Sequence, residues 1–278
     1  MMKFRTEIGP LKGGFKISHD DSIVLLGSCF ADNVGQQLQH DGFNVVYNPL
    51  GPLFNPASIF SVLKRGRKEF SPDEFINFNG VWHALSFANR YQDTDPVRLA
   101  DTLNEQYLAL CDAIENATVL IITFGTNKVY ELSSDNSIVG NCHKLPAAFF
   151  NERFLPVEEI LELAKGLKFC RKTIFTLSPV RYPGDGLPQG FLSKATLRVA
   201  IDQLCAAVGA DYFPSYEIVN DDLRDYRFYN PDLRHVSDTA VTYIYEHFSD
   251  TYFSKDTIAR AEICRKQFLR SAHRQILK

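Results

Sequence analysis

The chain has 278 residues, 45% of them hydrophobic and 23% charged, with a formal net charge of −3. That length can bury a sizeable core without disulfides or a structural metal, and without a basic excess nucleic-acid binding is not expected. The longest apolar stretch, Val119 to Phe124, is far short of the roughly 18 residues that a membrane span needs, and the opening MMKFRTEIGPLKGG has no apolar segment of a secretory signal.

Along the chain, β-branched apolar runs alternate with segments of helical period. Ile23 to Leu26 reads as a buried strand ending at Gly27, followed by a helix through Asp32 and Val34 to Leu38. Phe43 to Tyr47 is a second strand, and Asn48 to Pro52 a loop. Phe75 to Phe78, then Asn79-Gly80, then Val81 to His83 predicts a hairpin on a two-residue turn. It interrupts the alternation as an insertion near residues 70–92, a candidate lid. Leu99, Leu103, Tyr107, Cys111 and Ile114 form a helical stripe before the third strand, Val119 to Phe124. Val157, Ile160, Ala164 and Leu167 form another before the fourth, Thr173 to Leu177. A proline- and glycine-rich loop covers Pro179 to Gly190. Leu197, Ala200, Ile201, Leu204 and Val208 make a third stripe, and a fifth strand near Tyr212 to Ile218 is short or an edge because of Pro214. The end, 251–278, is a helical extension with Ile258, Ala261 and Phe268 inward.

Strands alternating with helices predict βαβ units and a mostly parallel sheet covered on both faces, a three-layer α/β/α sandwich in a single domain over 1–278. Right-handed crossovers put all the strands' C-terminal ends on one edge, where sites gather. The six cysteines (Cys29, Cys111, Cys142, Cys170, Cys205 and Cys264) show no Cys-x-x-Cys and no zinc spacing. They read as free thiols in a reducing compartment, which points to the cytoplasm.

Three features at the expected edge carry chemistry. Gly27-Ser28-Cys29-Phe30-Ala31 joins a strand to a helix, the geometry of a nucleophile elbow. The helix N-terminus offers unpaired N–H groups and a positive dipole end to a thiolate or an oxyanion. Gly125-Thr126-Asn127 follows the third strand, where the Asn127 amide could donate to an oxyanion, although Gly and Asn also make ordinary turns. Asp232-Leu233-Arg234-His235 precedes a late helix, and an Asp three residues before a His can fix its tautomer while the imidazole moves protons. Arg181, beyond the fourth strand, is a candidate for an anionic substrate group, and His143, beside Cys142, for a second acid/base or substrate role or for loop packing.

The run Gly27 to Ala31 spells the motif of the GSCFA family. Asn141 to Lys144, Ser178 to Arg181, Ser193 to Thr196 and Asp225 to Tyr229 also resemble that family, over roughly 22–250. The family is similar to the SGNH/GDSL hydrolases, which implies a flavodoxin-like sheet and ester hydrolysis without metal or organic cofactor. Carried over, the elbow falls on Gly27 to Phe30, the oxyanion block on Gly125 to Asn127, the Asp-x-x-His block on Asp232 and His235, and a glycine N–H of the oxyanion site on Gly51. The usual elbow is Gly-Asp-Ser. Aligned on Gly27 it makes Cys29 the nucleophile, and shifted by one residue it makes Ser28 the nucleophile. Lys128 stands where Asp usually follows the oxyanion Asn, and Val236 follows His235 where Pro is common. The resemblance implies an acyl esterase, such as a deacetylase, acting on a small-molecule or glycan ester. The alternatives are an acyltransferase using the same site and a noncatalytic binding module on this fold.

Overall fold

Strands that are apolar on both faces must be covered on both faces, and three segments of this chain fit that description, with two half-buried strands beside them. The computed structural model, which describes residues 5–276, assembles them into one parallel sheet. They are β1 (Ser22–Gly27), β2 (Asn44–Tyr47), β3 (Val119–Phe124), β4 (Lys172–Leu177) and β5 (Asp211–Phe213). Their order across the sheet is β2-β1-β3-β4-β5. Ile23 pairs with Val119 and with Val45, and Lys172 pairs with Val119, so the ends of β1, β3 and β4 finish at one edge. Residues 1–4 and 277–278, the tips of the expected domain and of its C-terminal extension, lie outside the described residues.

The side chains of the central strands divide with period two between two cores. Val24, Leu26, Leu120, Ile122 and Phe124 face one core, and Ile23, Leu25, Val119 and Ile121 face the other. The first core is closed by α2 (Pro56–Arg65), α3 (Pro96–Glu115), α4 (Val157–Ala164) and α5 (Leu187–Val208). The second is closed by α1 (Cys29–His40), α6 (Asp238–Tyr252) and α7 (Lys255–Ile276). Helix α1 shows why: Phe30, Val34 and Leu38 recur every four residues and are all buried, and each such side chain contributes about 1.5–3 kcal/mol when fully buried. The result is the three-layer α/β/α sandwich expected from the sequence.

The differences from the sequence reading have local causes. Helix α2 was not expected. Asn55 starts it by accepting the Ser58 N–H at 2.8 Å, and Pro56 occupies the first turn, where no N–H is needed. For the same reason α5 begins at Leu187, with Pro188 in its first turn, inside the stretch read as a loop to Gly190. Helix α4 stops before Leu167. Phe268 is 39% exposed, lying against the His40 ring and not in the core. The hairpin at Asn79-Gly80 forms as expected, both turn residues having positive φ (52° and 81°), and Gln92–Asp93 adds a third strand. A second antiparallel sheet, Lys128–Leu132 with Ile138–Val139 and Phe150–Phe154, was not legible in the sequence. Among the described residues no helix is long and apolar enough to cross a membrane, and no cysteine is paired with another.

Candidate functional site

The strand order reverses direction between β1 and β3, and a crevice at such a switch point is where parallel α/β sheets hold ligands. Gly27 ends β1 there with φ +143°, and a Cβ built on it would lie 2.1 Å from the Thr123 carbonyl oxygen of β3. Only glycine lets the two strands approach so closely at that backbone angle. The next residue, Ser28, turns the chain into α1. Its N–H donates to Thr123 O at 3.1 Å, and its hydroxyl caps α1 by accepting the Phe30 N–H at 3.3 Å. Ser28 is 1% exposed. Cys29 follows as the first helical residue and is only partly buried.

The elbow is clamped by a residue that the sequence reading passed over as a loop. Asn48 accepts the Gly27 N–H at 2.9 Å and donates to the Ser28 carbonyl at 3.3 Å and to Asp32 Oδ1 at 2.8 Å. It sits at φ 38°, a left-handed conformation that Asn tolerates better than most residues. Asn48→Ala strips all three bonds from a buried site, and we expect it to lower stability by about 2 kcal/mol. Urea denaturation with an unchanged slope would check this, and a midpoint equal to wild type would refute it.

Burial pushes the Cys29 thiol up to about 11, and the nearby Asp32 carboxylate pushes the same way. The Cys29 and Phe30 N–H groups and Lys194 pull it down but do not prevail. At neutral pH Cys29 is therefore a thiol that needs a base. The helix N-terminus alone does not generate the thiolate, contrary to what the elbow position suggests.

Asp232 and His235 form the expected pair: Asp232 Oδ2 meets His235 Nδ1 at 2.5 Å. Asp232 Oδ1 also accepts the N–H groups of Arg234 and His235, at 2.9 and 3.0 Å. The imidazole first, and these N–H groups after it, hold the Asp232 carboxyl at about 2. With Nδ1 committed to Asp232, Nε2 is the nitrogen left for proton transfer. The loop is tied to the end of β4 by the Arg181 N–H on the Arg234 carbonyl at 3.0 Å, and Val236 is buried in the core against which Cys29 also packs. Both side chains of the pair are about half exposed, at 44% and 46%. Among the described residues no hydrogen bond joins His235 to Cys29 or Ser28.

Neither expected oxyanion donor points at the elbow. The Asn127 amide donates to the Leu155 carbonyl at 2.8 Å, its backbone N–H goes to Ser193 Oγ at 3.0 Å, and its Oδ1 is buried without a partner. Asn127 thus anchors the segment leading into α4. The Gly51 N–H closes a turn on the Asn48 carbonyl at 2.8 Å, and its Cα is pressed against Ala88. The backbone N–H groups of Cys29 and Phe30, at the start of α1, are the donors that act on the thiol. Lys128, in the slot where Asp is usual, pairs with Asp185 and Glu152, both at 2.7 Å, and so binds the second sheet to the loop after β4.

His143 is not at a substrate surface either. It is 4% exposed, and its Nε2 lies 3.0 Å from the Phe87 carbonyl, so Nε2 carries the proton. Its Nδ1 is then the acceptor for His83 Nδ1, 3.2 Å away. Burial lowers both imidazoles and keeps them neutral. The pair joins the hairpin to the loop after β3, which is the packing role.

Arg181, by contrast, lines a cavity of about 390 Å3 together with Tyr182, Phe191 and Lys194. Its guanidinium lies 5.3 and 5.6 Å from the ring centres of Tyr226 and Tyr229. A second cavity, about 240 Å3, is lined by Thr126, Lys128, Cys142 and Tyr182. Neither is lined by the hairpin strands 76–83, so the hairpin is not a lid over them.

Lys194, which the sequence reading placed only in the family-like run Ser193 to Thr196 and gave no role, lies on the core-facing stripe of α5 three residues before Leu197. A lysine on an apolar stripe was the signal. It is 8% exposed and donates to the carbonyls of Gly125 and Ser178 at 2.7 and 2.6 Å, at the ends of β3 and β4.

The comparisons with known proteins agree with the motif at this elbow. The model of the GSCFA family matches residues 22–248, which contain all five strands, the elbow and the Asp232–His235 pair. No match was found among curated proteins or among solved structures. The family match spans most of the chain and includes the elbow that spells its motif, so the chain belongs to the GSCFA family.

Proposed function

We propose that the chain is an ester hydrolase of the SGNH/GDSL kind that works through Cys29. The observation that carries this reading is the placement of Cys29 at the first turn of α1, on the sheet edge that also holds a paired Asp232 and His235. Cys29 attacks the acyl carbonyl, and the N–H groups opening α1 receive the oxyanion. His235 supplies acid–base chemistry through Nε2, and Asp232 fixes its tautomer. The cavity beside Arg181 takes the substrate, and the guanidinium favours one with an anionic group. The six unpaired thiols fit a reducing compartment such as the cytoplasm.

A thioester intermediate can also pass its acyl group to an alcohol. The tyrosine rings along the cavity wall suit a sugar acceptor, which supports acyl transfer to a glycan as the second reading. Product analysis with and without glycan acceptors separates the two, because a hydrolase is indifferent to the acceptor.

The test is acid-quenched mass spectrometry after mixing with activated aryl esters. We expect an acyl adduct on Cys29 that neutral hydroxylamine removes, and steady turnover that falls by about 10²–10⁴-fold in His235→Ala. A folded protein that forms no adduct and turns over no member of a broad ester panel would instead be a binding module.

A further inference from the structure

A buried lysine must be partnered or neutral, and Lys194 shows which. Its Nζ has two acceptors, the carbonyls of Gly125 and Ser178, and no carboxylate partner among the described residues. Two acceptors satisfy both N–H bonds of a neutral amine and leave its lone pair free. Both carbonyls stand at the C-terminal edge of the sheet, and Gly125 itself packs on the elbow, a Cβ built on it lying 3.3 Å from Ser28 Cβ, one residue before Cys29. Lys194 also lines the 390 Å3 cavity.

We propose that Lys194 is the proton partner of Cys29, the neutral amine taking up the thiol proton as the sulfur attacks. This deepens the hydrolase reading of the same site and rests on it for the acyl step. The S–H bond breaks, an N–H bond forms at Nζ, and the sulfur bonds to the carbonyl carbon as the carbonyl electron pair moves to oxygen. His235, held by Asp232, gives a proton from Nε2 to the leaving alcohol oxygen. In the second half, water attacks the thioester and gives its proton to His235, and the departing sulfur recovers its proton from Lys194. Every group returns to its starting state, and two proton carriers share the work: one buried at the nucleophile and one on the rim at the leaving group.

The ionisation of the two groups agrees with this division. Burial lowers the Lys194 ammonium to about 7, and the Cys29 charge acts in the opposite direction. A base near the working pH is the efficient one. The other groups facing the pair are Asp32 and Tyr182 beside the thiol, and Tyr216, Arg181, Asp221 and Arg224 along the cavity.

The experiment is the pH dependence of Cys29 alkylation by iodoacetamide, read on the Cys29 peptide. Iodide needs no proton to leave, so this isolates the thiol step from His235 and from any substrate. In wild type we expect an inflection near neutrality and a second rise at alkaline pH. In Lys194→Met the neutral inflection disappears and the rate at pH 7 falls at least tenfold. A folded Lys194→Met with the wild-type profile overturns the proposal. Because this variant leaves two carbonyls without a donor and can fail to fold, the second measurement uses lysine-labelled protein and NMR. Lys194 should titrate near neutrality, with a midpoint that moves when Cys29→Ser removes the thiol. A Lys194 that titrates like a surface lysine, or is indifferent to Cys29, also overturns it. Neither assay uses an ester, so an inert esterase and an uncoupled lysine give different results.

Discussion

Gly27→Ala is expected to abolish the folded elbow, with a loss of at least about 3 kcal/mol. Two independent penalties meet at this residue. Its φ of +143° lies where a side chain is strained, and the new Cβ would stand 2.1 Å from the Thr123 carbonyl oxygen, with the Thr123 carbonyl carbon and amide nitrogen at 2.8 and 2.9 Å. These are backbone atoms of the central strand β3, all six residues of which are buried, so they cannot step aside. The Thr123 oxygen is also the acceptor for the Ser28 N–H, so a shift that relieves the clash breaks the bond that starts the turn. Thermal or urea unfolding should show the variant either insoluble or strongly shifted. A variant within about 1 kcal/mol of wild type would mean that β1 and β3 do not approach as closely as these distances require.

Cys29→Ala should lower ester turnover by about 10³-fold or more, while Ser28→Ala should keep it within about tenfold. The two residues are neighbours, but the helix start assigns them different work. Ser28 is the cap, and its hydroxyl is buried and already accepts the Phe30 N–H. A cap exchanged for alanine costs about 1 kcal/mol of stability and leaves the chemistry in place. Cys29 is one residue further, partly exposed, with the backbone N–H groups of Cys29 and Phe30 acting on its sulfur. The sign of the pH dependence follows from the same geometry. Burial and Asp32 hold the thiol at about 11, so a reaction that required preformed thiolate would climb steeply up to that pH. A reaction in which a base takes the proton during attack levels off at lower pH. Kinetics from pH 6 to 10 on both variants would decide the matter. Loss of turnover in Ser28→Ala with activity kept in Cys29→Ala would move the nucleophile one residue back and remove the basis of the lysine pairing.

Much of this protein is determined by local sequence. The runs Ile23 to Leu26 and Val119 to Phe124 are too apolar for any setting but a covered parallel strand, and Pro214 confines β5 to three edge residues. Asp232 and His235 found each other because three residues of chain span a hydrogen bond, and Asn79-Gly80 turned as its dipeptide requires. What only the tertiary structure decided concerns groups brought together over long stretches of chain. Asn127 bonds a carbonyl 28 residues away, Asn48 clamps a turn 21 residues before it, and His83 meets His143 across 60 residues. Lys194 reaches Gly125 across 69 residues. No spacing rule predicts such pairs, because a buried polar group takes whatever partner the packing leaves within about 3 Å. The sequence by itself therefore determined the layers of the fold and the Asp232–His235 pair. The tertiary structure decided which polar groups hold the elbow, Asn48 first among them, and which thiol is left partly exposed at its first helical turn.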